Sequence, residues 1–245
     1  MNSLTYTRYE IIRGFRNRRY FIFSLIFPLV LFLFVAGTNR HVRLGGISFP
    51  LYYMTGMIAW GSMIAVMGGG ARIAVERQAG WTRQMRITPL SIRAYFRAKI
   101  LSGYTVAALS IVLIALAGVS YGVHLSAGQW ATMIALVLVG LIPFAIMGIL
   151  LGHLLTPDSM GPGLGGLTAL FALLGGAWAP LATHGVFLDI VKLIPSYWLV
   201  QAGKTALGNS GWPAEGWIVM AAWTLAALRL AIFVYRRDTA RVTGG

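Results

Sequence analysis

Long stretches without a charged residue constrain this chain more than any other feature of its sequence. Residues 100–157 contain no Asp, Glu, Lys or Arg, and neither do residues 44–71 or 159–188. A helix needs about 20 mostly apolar residues to cross the hydrocarbon core of a membrane, so the longest stretch must fold as two helices. The pattern predicts six spans, near residues 20–37, 51–73, 100–120, 131–155, 161–181 and 216–235.

The composition excludes an ordinary water-soluble domain. The 245 residues are 58% hydrophobic and 11% charged, whereas soluble domains carry about 25% charged residues to cover their surface. The sequence has no cysteine, which excludes disulfides and thiolate metal sites. We therefore predict an all-α integral membrane protein in which residues 1–245 form one transmembrane domain.

The basic residues predict the orientation of the chain. Twenty Lys and Arg against six Asp and Glu give a net charge of +14, which in a soluble protein would suggest nucleic-acid binding. Here fifteen of the twenty lie before span one, between spans two and three, or after span six, and four lie in the loops of the other side. The positive-inside rule then places both termini in the cytoplasm of a multi-pass plasma-membrane protein, and we predict no nucleic-acid partner.

Residues 4–19 predict an amphipathic helix ahead of the first span. Leu4, Ile11 and Phe15 share one stripe, and arginines cover most of the remaining surface. Such a helix would lie along the cytoplasmic headgroups of the membrane lipids, with its arginines on lipid phosphates. It is either a plain topology anchor or an element that also grips a partner subunit. The arginines predicted at this interface are Arg13, Arg16, Arg18 and Arg19.

The loop between spans two and three has the most specific pattern. Gly80 can break the preceding helix, residues 81–87 can form about two helical turns, and Pro89 ends them. A short rigid helix outside the membrane has a shape suited to being held by another protein. The chain lacks the G-x-x-x-x-G-K-[ST] motif of a P-loop, so it cannot itself bind ATP through such a loop.

This loop resembles the coupling segment of the ABC-2 family of transporter permeases, whose pattern is close to E-R-E-x-G-T-L-E-x-L-R-V-T-P-L-S. Eight residues match the pattern as they stand, namely Glu76, Arg77, Gly80, Arg86, Thr88, Pro89, Leu90 and Ser91. Met85 and Ile87 match in kind. Four residues depart from the pattern and change the charge that the segment offers to a partner, namely Gln78, Trp81, Thr82 and Arg83.

The resemblance implies a permease subunit that meets a second copy, or a related permease, around a translocation path. Two separate nucleotide-binding (ATPase) subunits would dock underneath and hold ATP and Mg²⁺, while this chain holds no cofactor. The complex would export a hydrophobic or amphiphilic substrate, either drug-like or lipid-like. A non-transporting scaffold or sensor and a membrane-embedded enzyme are the alternatives. The residues implied to contact the ATPase subunit are Glu76, Gly80, Trp81, Arg83, Met85, Arg86, Thr88 and Pro89.

The remaining polar residues suggest no catalytic or metal site. Glu76 follows Arg72 by four residues, so the two can form a local ion pair as an alternative to a coupling role for Glu76. Arg229 is a charge inside span six, which either snorkels to the cytoplasmic interface or acts within the membrane. The histidines and the other acids are too scattered for metal binding or acid–base catalysis, namely His41, His124, His153, His184, Asp158, Asp189 and Glu215.

Residues 178–212 form the predicted outer segment. Pro180 and Pro195 lie within it and Pro213 follows it directly. Trp178, Tyr197, Trp198 and Trp212 are of the types found at membrane interfaces. We predict that this segment forms short helices that cap the outer end of the bundle and does not form a seventh span.

Overall fold

The chain forms a helical bundle in a computed structural model that describes residues 3–44, 46–81, 88, 90–181, 184–207 and 210–243. Near the N-terminus a π-helical segment, Ile22–Ile26, joins two helices, and a two-stranded hairpin follows the first span. The elements in chain order are α1 (Ser3–Arg16), α2 (Arg18–Phe21), α3 (Phe27–Thr38), β1 (Arg43–Leu44), β2 (Ile47–Ser48), α4 (Phe49–Ala71), α5 (Ile73–Gln78), α6 (Ile92–Ser120), α7 (Ala127–Gly140), α8 (Ile142–Leu154), α9 (Pro157–Gly175), α10 (Val186–Lys192), α11 (Pro195–Leu207) and α12 (Ala214–Thr243).

Five helical segments of the described chain are long and apolar enough to cross a membrane. They overlap predicted spans one to four and six, so the all-α membrane class is confirmed. The side of the membrane on which each span begins and ends stays a prediction. The five segments are Arg18–Thr38, Phe49–Gln78, Ile92–Ser120, Ala127–Leu154 and Ala214–Asp238.

The predicted fifth span, 161–181, corresponds to α9, a helix of 19 residues that is not among those five segments. It begins earlier than predicted because Thr156 caps it together with Ser159, and Pro157 occupies the first turn. It also ends earlier, because Gly176 adopts a left-handed conformation (φ +73°) and the N–H of Ala177 turns back to the Ala172 carbonyl, 2.8 Å away.

Helices α10 and α11 form a sharply bent helix pair in the predicted outer segment. They would qualify as one further span only if taken together, but they meet at an angle of 93°. The predicted short helices are therefore present in this segment. Whether they lie outside the membrane stays a prediction.

Helix α4 lies at the centre of the bundle, with 94% of its most apolar stretch buried. Glycines let its backbone contact the helices on either side. A Cβ atom at Gly70 would lie 2.4 Å from the backbone nitrogen of Ile149 in α8, and one at Gly103 in α6 would lie 2.9 Å from the Cα of Val66. Because a Cβ atom would clash at these points, the backbones of α4, α6 and α8 can pack in close contact only with glycine there.

Helix α1 packs on the first turns of α6 through a face that the sequence did not indicate. Of the predicted stripe, Leu4 is 71% exposed, and Ile11 and Phe15 are partly buried. The contact of this stripe with lipid stays a prediction. Helix α1 is held by polar partners on α5 and α6, so the face that packs on the bundle differs from the predicted apolar stripe. Its buried residues are Tyr6, Thr7, Glu10 and Gly14.

Candidate coupling region at the α1 end of the bundle

The predicted coupling helix lies mostly outside the described residues. Positions 82–87 and 89, and with them Arg83, Met85, Arg86 and Pro89, are not described. Helix α5 leads into this segment from α4 and ends at Gln78, and Gly80 has a positive φ of 71°. The predicted break at Gly80 is therefore confirmed. Trp81 directly after it is 36% exposed, and Thr88 forms a bend.

Glu76 on α5 is almost fully buried and has three donors around one carboxylate. Its side chain is 1% exposed. Its Oε1 accepts hydrogen bonds from Lys99 Nζ and from Arg13 Nη1, the latter at 2.6 Å, and its Oε2 accepts one from the Tyr95 hydroxyl at 2.6 Å. The alternative of a local surface pair with Arg72 is wrong, since the structure gives each of the two residues other partners.

The second buried carboxylate, Glu10, comes from α1. Its Oε1 lies 2.7 Å from Lys99 Nζ and 3.1 Å from Arg72 Nη2. Arg72 also donates to the Ser102 hydroxyl at 3.0 Å, and that hydroxyl donates to the Glu10 backbone carbonyl at 3.2 Å. Lys99 therefore bridges the two acids from the centre, with no exposed surface of its own.

We term Glu10, Arg13, Arg72, Glu76 and Lys99 the charge cluster. It brings α1, the end of α4, α5 and the start of α6 together through side chains that are buried except for Arg13, which is 54% exposed. Three cations face two anions, so removal of either acid would leave buried positive charge without compensation. Beside the cluster, burial and then the carboxylates of Glu10 and Glu76 raise the pKa of the Tyr6 phenol, which keeps it neutral.

A second polar cluster ties the last helix to the same end of the bundle. Asp238 Oδ2 on α12 lies 3.2 Å from Arg77 Nη2 on α5 and 3.0 Å from His153 Nδ1 on α8. The rings of Phe96 and Tyr235 pack 5.4 Å apart, and both also contact the imidazole. The C-terminal ends of α5, α8 and α12 therefore lie on one side, with α1.

The arginines predicted at the lipid interface divide into two groups. Arg13 contributes to the charge cluster, whereas Arg16, Arg18 and Arg19 are exposed. Arg229 is exposed on α12 between Leu228 and Leu230, which are 42% and 53% exposed. In the described part of the chain, no group of three His, Cys, Asp or Glu side chains could hold a metal ion.

Comparison with known proteins decides the family. A model of the family described as "ABC-2 family transporter protein" matches residues 44–234. This range includes the central helix α4, the predicted coupling segment and the helices α10 and α11. The chain belongs to the ABC-2 family. An ABC-2 protein of this kind is a transport permease, and members of the family work with an ATP-binding subunit.

A relative from Bacillus subtilis (strain 168), YvfS, carries the name of a transport permease. It is 28% identical over 237 residues, which cover 94% of this chain and 96% of YvfS. The similarity therefore extends along nearly the whole ABC-2 subunit.

The sequence interpretation missed four residues of this region in the ABC-2 chain, namely Glu10, Tyr95, Lys99 and Asp238. One signal could have identified the acids. The chain has only six Asp and Glu, and Glu10, Glu76 and Asp238 all fall in segments predicted on the cytoplasmic side, among many basic residues. Because few acids lie among many basic residues on that side, each of them is expected to form an ion pair with a particular cation.

Proposed function

We propose that this chain is the membrane subunit of an ABC exporter, energised by a separate nucleotide-binding subunit that grips residues 80–89. The observation that carries the proposal is the charge cluster. Through the buried Glu76 carboxylate it links α5, the helix that leads into the predicted coupling segment, to both α1 and α6. A contact made just outside the bundle would therefore act on three helices at once.

The transmission of force would follow these contacts. A push on residues 80–89 moves α5, whose Glu76 holds Lys99 of α6 and Arg13 of α1. Helix α6 is packed against α4, and α4 against α8, through glycine contacts that leave no room for sliding. The unit of α1, α4, α6 and α8 would then tilt as a rigid body between two packed arrangements.

The proposed topology has six crossings with both termini in the cytoplasm. Because His153 and Asp238 pair, the chain leaves α8 and ends α12 on the same side, and this requires an odd number of crossings between residue 154 and α12. Helix α9 fits that role. Its 19 residues span about 28 Å at 1.5 Å per residue, from Leu164 near Gly68 to Gly176 beside Tyr52.

The proposed substrate is hydrophobic or amphiphilic, because the long exposed faces of α3, α6 and α12 are apolar. A second copy of this chain or a related permease would complete the translocation path, and lipids would cover the remaining apolar surface. The exposed arginines Arg16, Arg18 and Arg19 would contact lipid phosphates at the cytoplasmic face.

The proposal is tested by co-expressing the chain with a candidate ATP-binding cassette subunit. We expect a stable complex that hydrolyses ATP. Met85→Pro and Arg86→Glu should insert normally but lose the complex or its hydrolysis, because a docking element needs both its shape and its charge. Arg237→Glu, a reversal of an exposed arginine on α12, is the matched control. Full assembly and hydrolysis in both loop variants would refute the coupling role, and a scaffold or sensor would be favoured.

A further inference from the structure

Arg229 is a charged residue in the apolar helix α12, and it lies on the side of that helix that faces away from the bundle. It belongs to the segment Ala214–Asp238, which is long and apolar enough to cross a membrane. Ala227 and Ala231, two residues before and after it, are only 3% and 8% exposed. Two residues correspond to a rotation of about 200° around a helix, so Arg229 lies opposite the packed side, and it is exposed. Charged residues within spans almost always face the bundle interior instead.

The contacts of α12 fix the depth of Arg229 along the span. Asp238, nine residues later, lies 3.0 Å from His153 at the end of α8, and nine helical residues extend about 14 Å. Ala214, where the span begins, is fifteen residues from Arg229, or about 22 Å. Arg229 therefore lies within the apolar part of the span, in the half nearer the α1 end of the bundle.

In the part of the chain that the structure describes, no anion neutralises Arg229. The side chain forms neither a hydrogen bond nor an ion pair there. The sequence has only six Asp and Glu. Three of them are bonded within the two polar clusters, namely Glu10, Glu76 and Asp238. The other three are exposed, namely Asp158, Asp189 and Glu215.

A second copy of this chain would not supply the anion either. Two copies with the same topology are related by a two-fold axis along the membrane normal, so each acid keeps its depth. Glu215 is fourteen residues from Arg229 on the same helix, about 21 Å away. Asp158 lies in the first turn of α9, shortly after the end of α8 that contacts Asp238, and Asp189 lies in the predicted outer segment. None of these carboxylates reaches the depth of Arg229, so its anion comes from outside the protein.

The surface around Arg229 suits an amphiphile. Leu225, Ile232 and Phe233 lie one turn to either side of it and are 55%, 45% and 63% exposed. A small inorganic anion would lose its hydration against such a surface, whereas a phospholipid can place its acyl chains there. Arginine binds phosphate through two parallel N–H···O bonds, and its long side chain can bend towards the lipid headgroups.

We propose that Arg229 binds the phosphate of an anionic phospholipid from the leaflet at the α1 end of the bundle. The headgroup is drawn deeper than those of neighbouring lipids, and its acyl chains lie along Leu225 and Ile232. A zwitterionic headgroup carries its own cation, so an anionic lipid is preferred. The binding requires neither ATP nor cargo. Only the assignment of this leaflet to the cytoplasmic side rests on the proposed topology.

Because the sequence has no cysteine, a single introduced thiol can report on lipid at this site. Leu225→Cys carries a bimane fluorophore at an exposed position one turn from Arg229, and the full chain is reconstituted in phosphatidylcholine nanodiscs. Lipid with a nitroxide quencher on an acyl chain is then added, either as phosphatidylglycerol or as phosphatidylcholine. We expect half-maximal quenching at an about fivefold lower mole fraction of phosphatidylglycerol, the effect of one arginine on an anionic lipid.

Two substitutions of Arg229 separate its charge from its shape. Arg229→Gln should abolish the preference, so that the two lipids quench equally, whereas Arg229→Lys should retain most of it. Arg19→Gln is the matched control, because it removes one exposed arginine elsewhere in the chain, and it should leave the preference unchanged. A bimane attached to Ile218→Cys, at a position 67% exposed near the other end of α12, should report no preference.

The site is refuted if phosphatidylglycerol quenches no better than phosphatidylcholine in the chain that retains Arg229. It is equally refuted if Arg229→Gln keeps the preference, or if Arg19→Gln loses as much of it as Arg229→Gln does. Failure of both lipids to quench at position 225 would show that a second copy covers this part of α12, which also overturns the proposal. A normal lipid preference in a chain that does not assemble with an ATP-binding subunit would instead refute only the proposed function.

Discussion

Replacement of Glu76 by Gln tests the charge cluster most sharply, because it removes one charge while keeping the side chain's shape. Three donors, from Arg13, Tyr95 and Lys99, converge on this carboxylate. An amide offers one acceptor oxygen and adds two N–H donors, so at least one buried donor must lose its bond. The cluster would then hold three cations against Glu10 alone.

The expected loss follows from the burial of the partners. Removing one member of a buried ion pair typically costs about 3–5 kcal/mol, because the remaining charge stays buried. For a chain of this size such a loss corresponds to a melting temperature about 10 °C lower. Arg13→Gln should cost at most about 1 kcal/mol, since an ion pair that is half in water contributes little, and the Arg13 side chain is 54% exposed.

The assay is heating in detergent followed by size-exclusion chromatography of the surviving protein. Glu215→Gln is the matched control, because this acid is exposed near the start of α12, and it should change the melting temperature by less than about 2 °C. A structural role for the charge cluster is refuted if Glu76→Gln has the same melting temperature as Glu215→Gln. It is also refuted if Arg13→Gln lowers the melting temperature as much as Glu76→Gln does.

Three further predictions concern the second cluster and the topology. Asp238→Asn removes the ion pair with Arg77 and should lower the melting temperature by about 4 °C, measured in the same assay; an unchanged value would contradict a structural role for that pair. Reporter fusions at Gly245 and near His41 should report cytoplasm and exterior respectively, and an external C-terminus would overturn the six-crossing topology. Cysteines introduced at Asp189 and Lys192 of α10 should react with membrane-impermeant thiol reagents from outside. Labelling only from the cytoplasm would contradict the predicted outer position of α10.

The helical class and five of the six predicted spans could be predicted from the sequence, because membrane thickness dictates the length of an apolar span. The break after α5 was equally predictable, since Gly80 tolerates a positive φ that other residues avoid. The limits of α9 were not. They depend on the side-chain cap at Thr156 and on the left-handed turn at Gly176, two local features that hydropathy does not record.

The partners within the candidate site could not be predicted, because pairing depends on distant contacts. Lys99 is 89 residues from Glu10 and 23 from Glu76, and sequence spacing indicates pairs only within a few residues on one helix. Lys99 was therefore counted only as a basic residue of the loop, although the fold buries it completely. For the same reason, sequence spacing indicates a pair between Arg72 and Glu76, four residues apart, whereas the structure pairs Arg72 with Glu10.

Site-specific photo-cross-linking would detect the proposed contact between an ATP-binding subunit and the segment after Gly80. A photoreactive amino acid is placed at Met85 of the full chain, co-expressed with the ATP-binding cassette subunit, and a second one at the exposed Arg97 of α6 serves as the control. We expect an ultraviolet-dependent covalent product between Met85 and the ATP-binding subunit, and little or none from Arg97. Products from Met85 that contain only lipid or a second copy of this chain would contradict it.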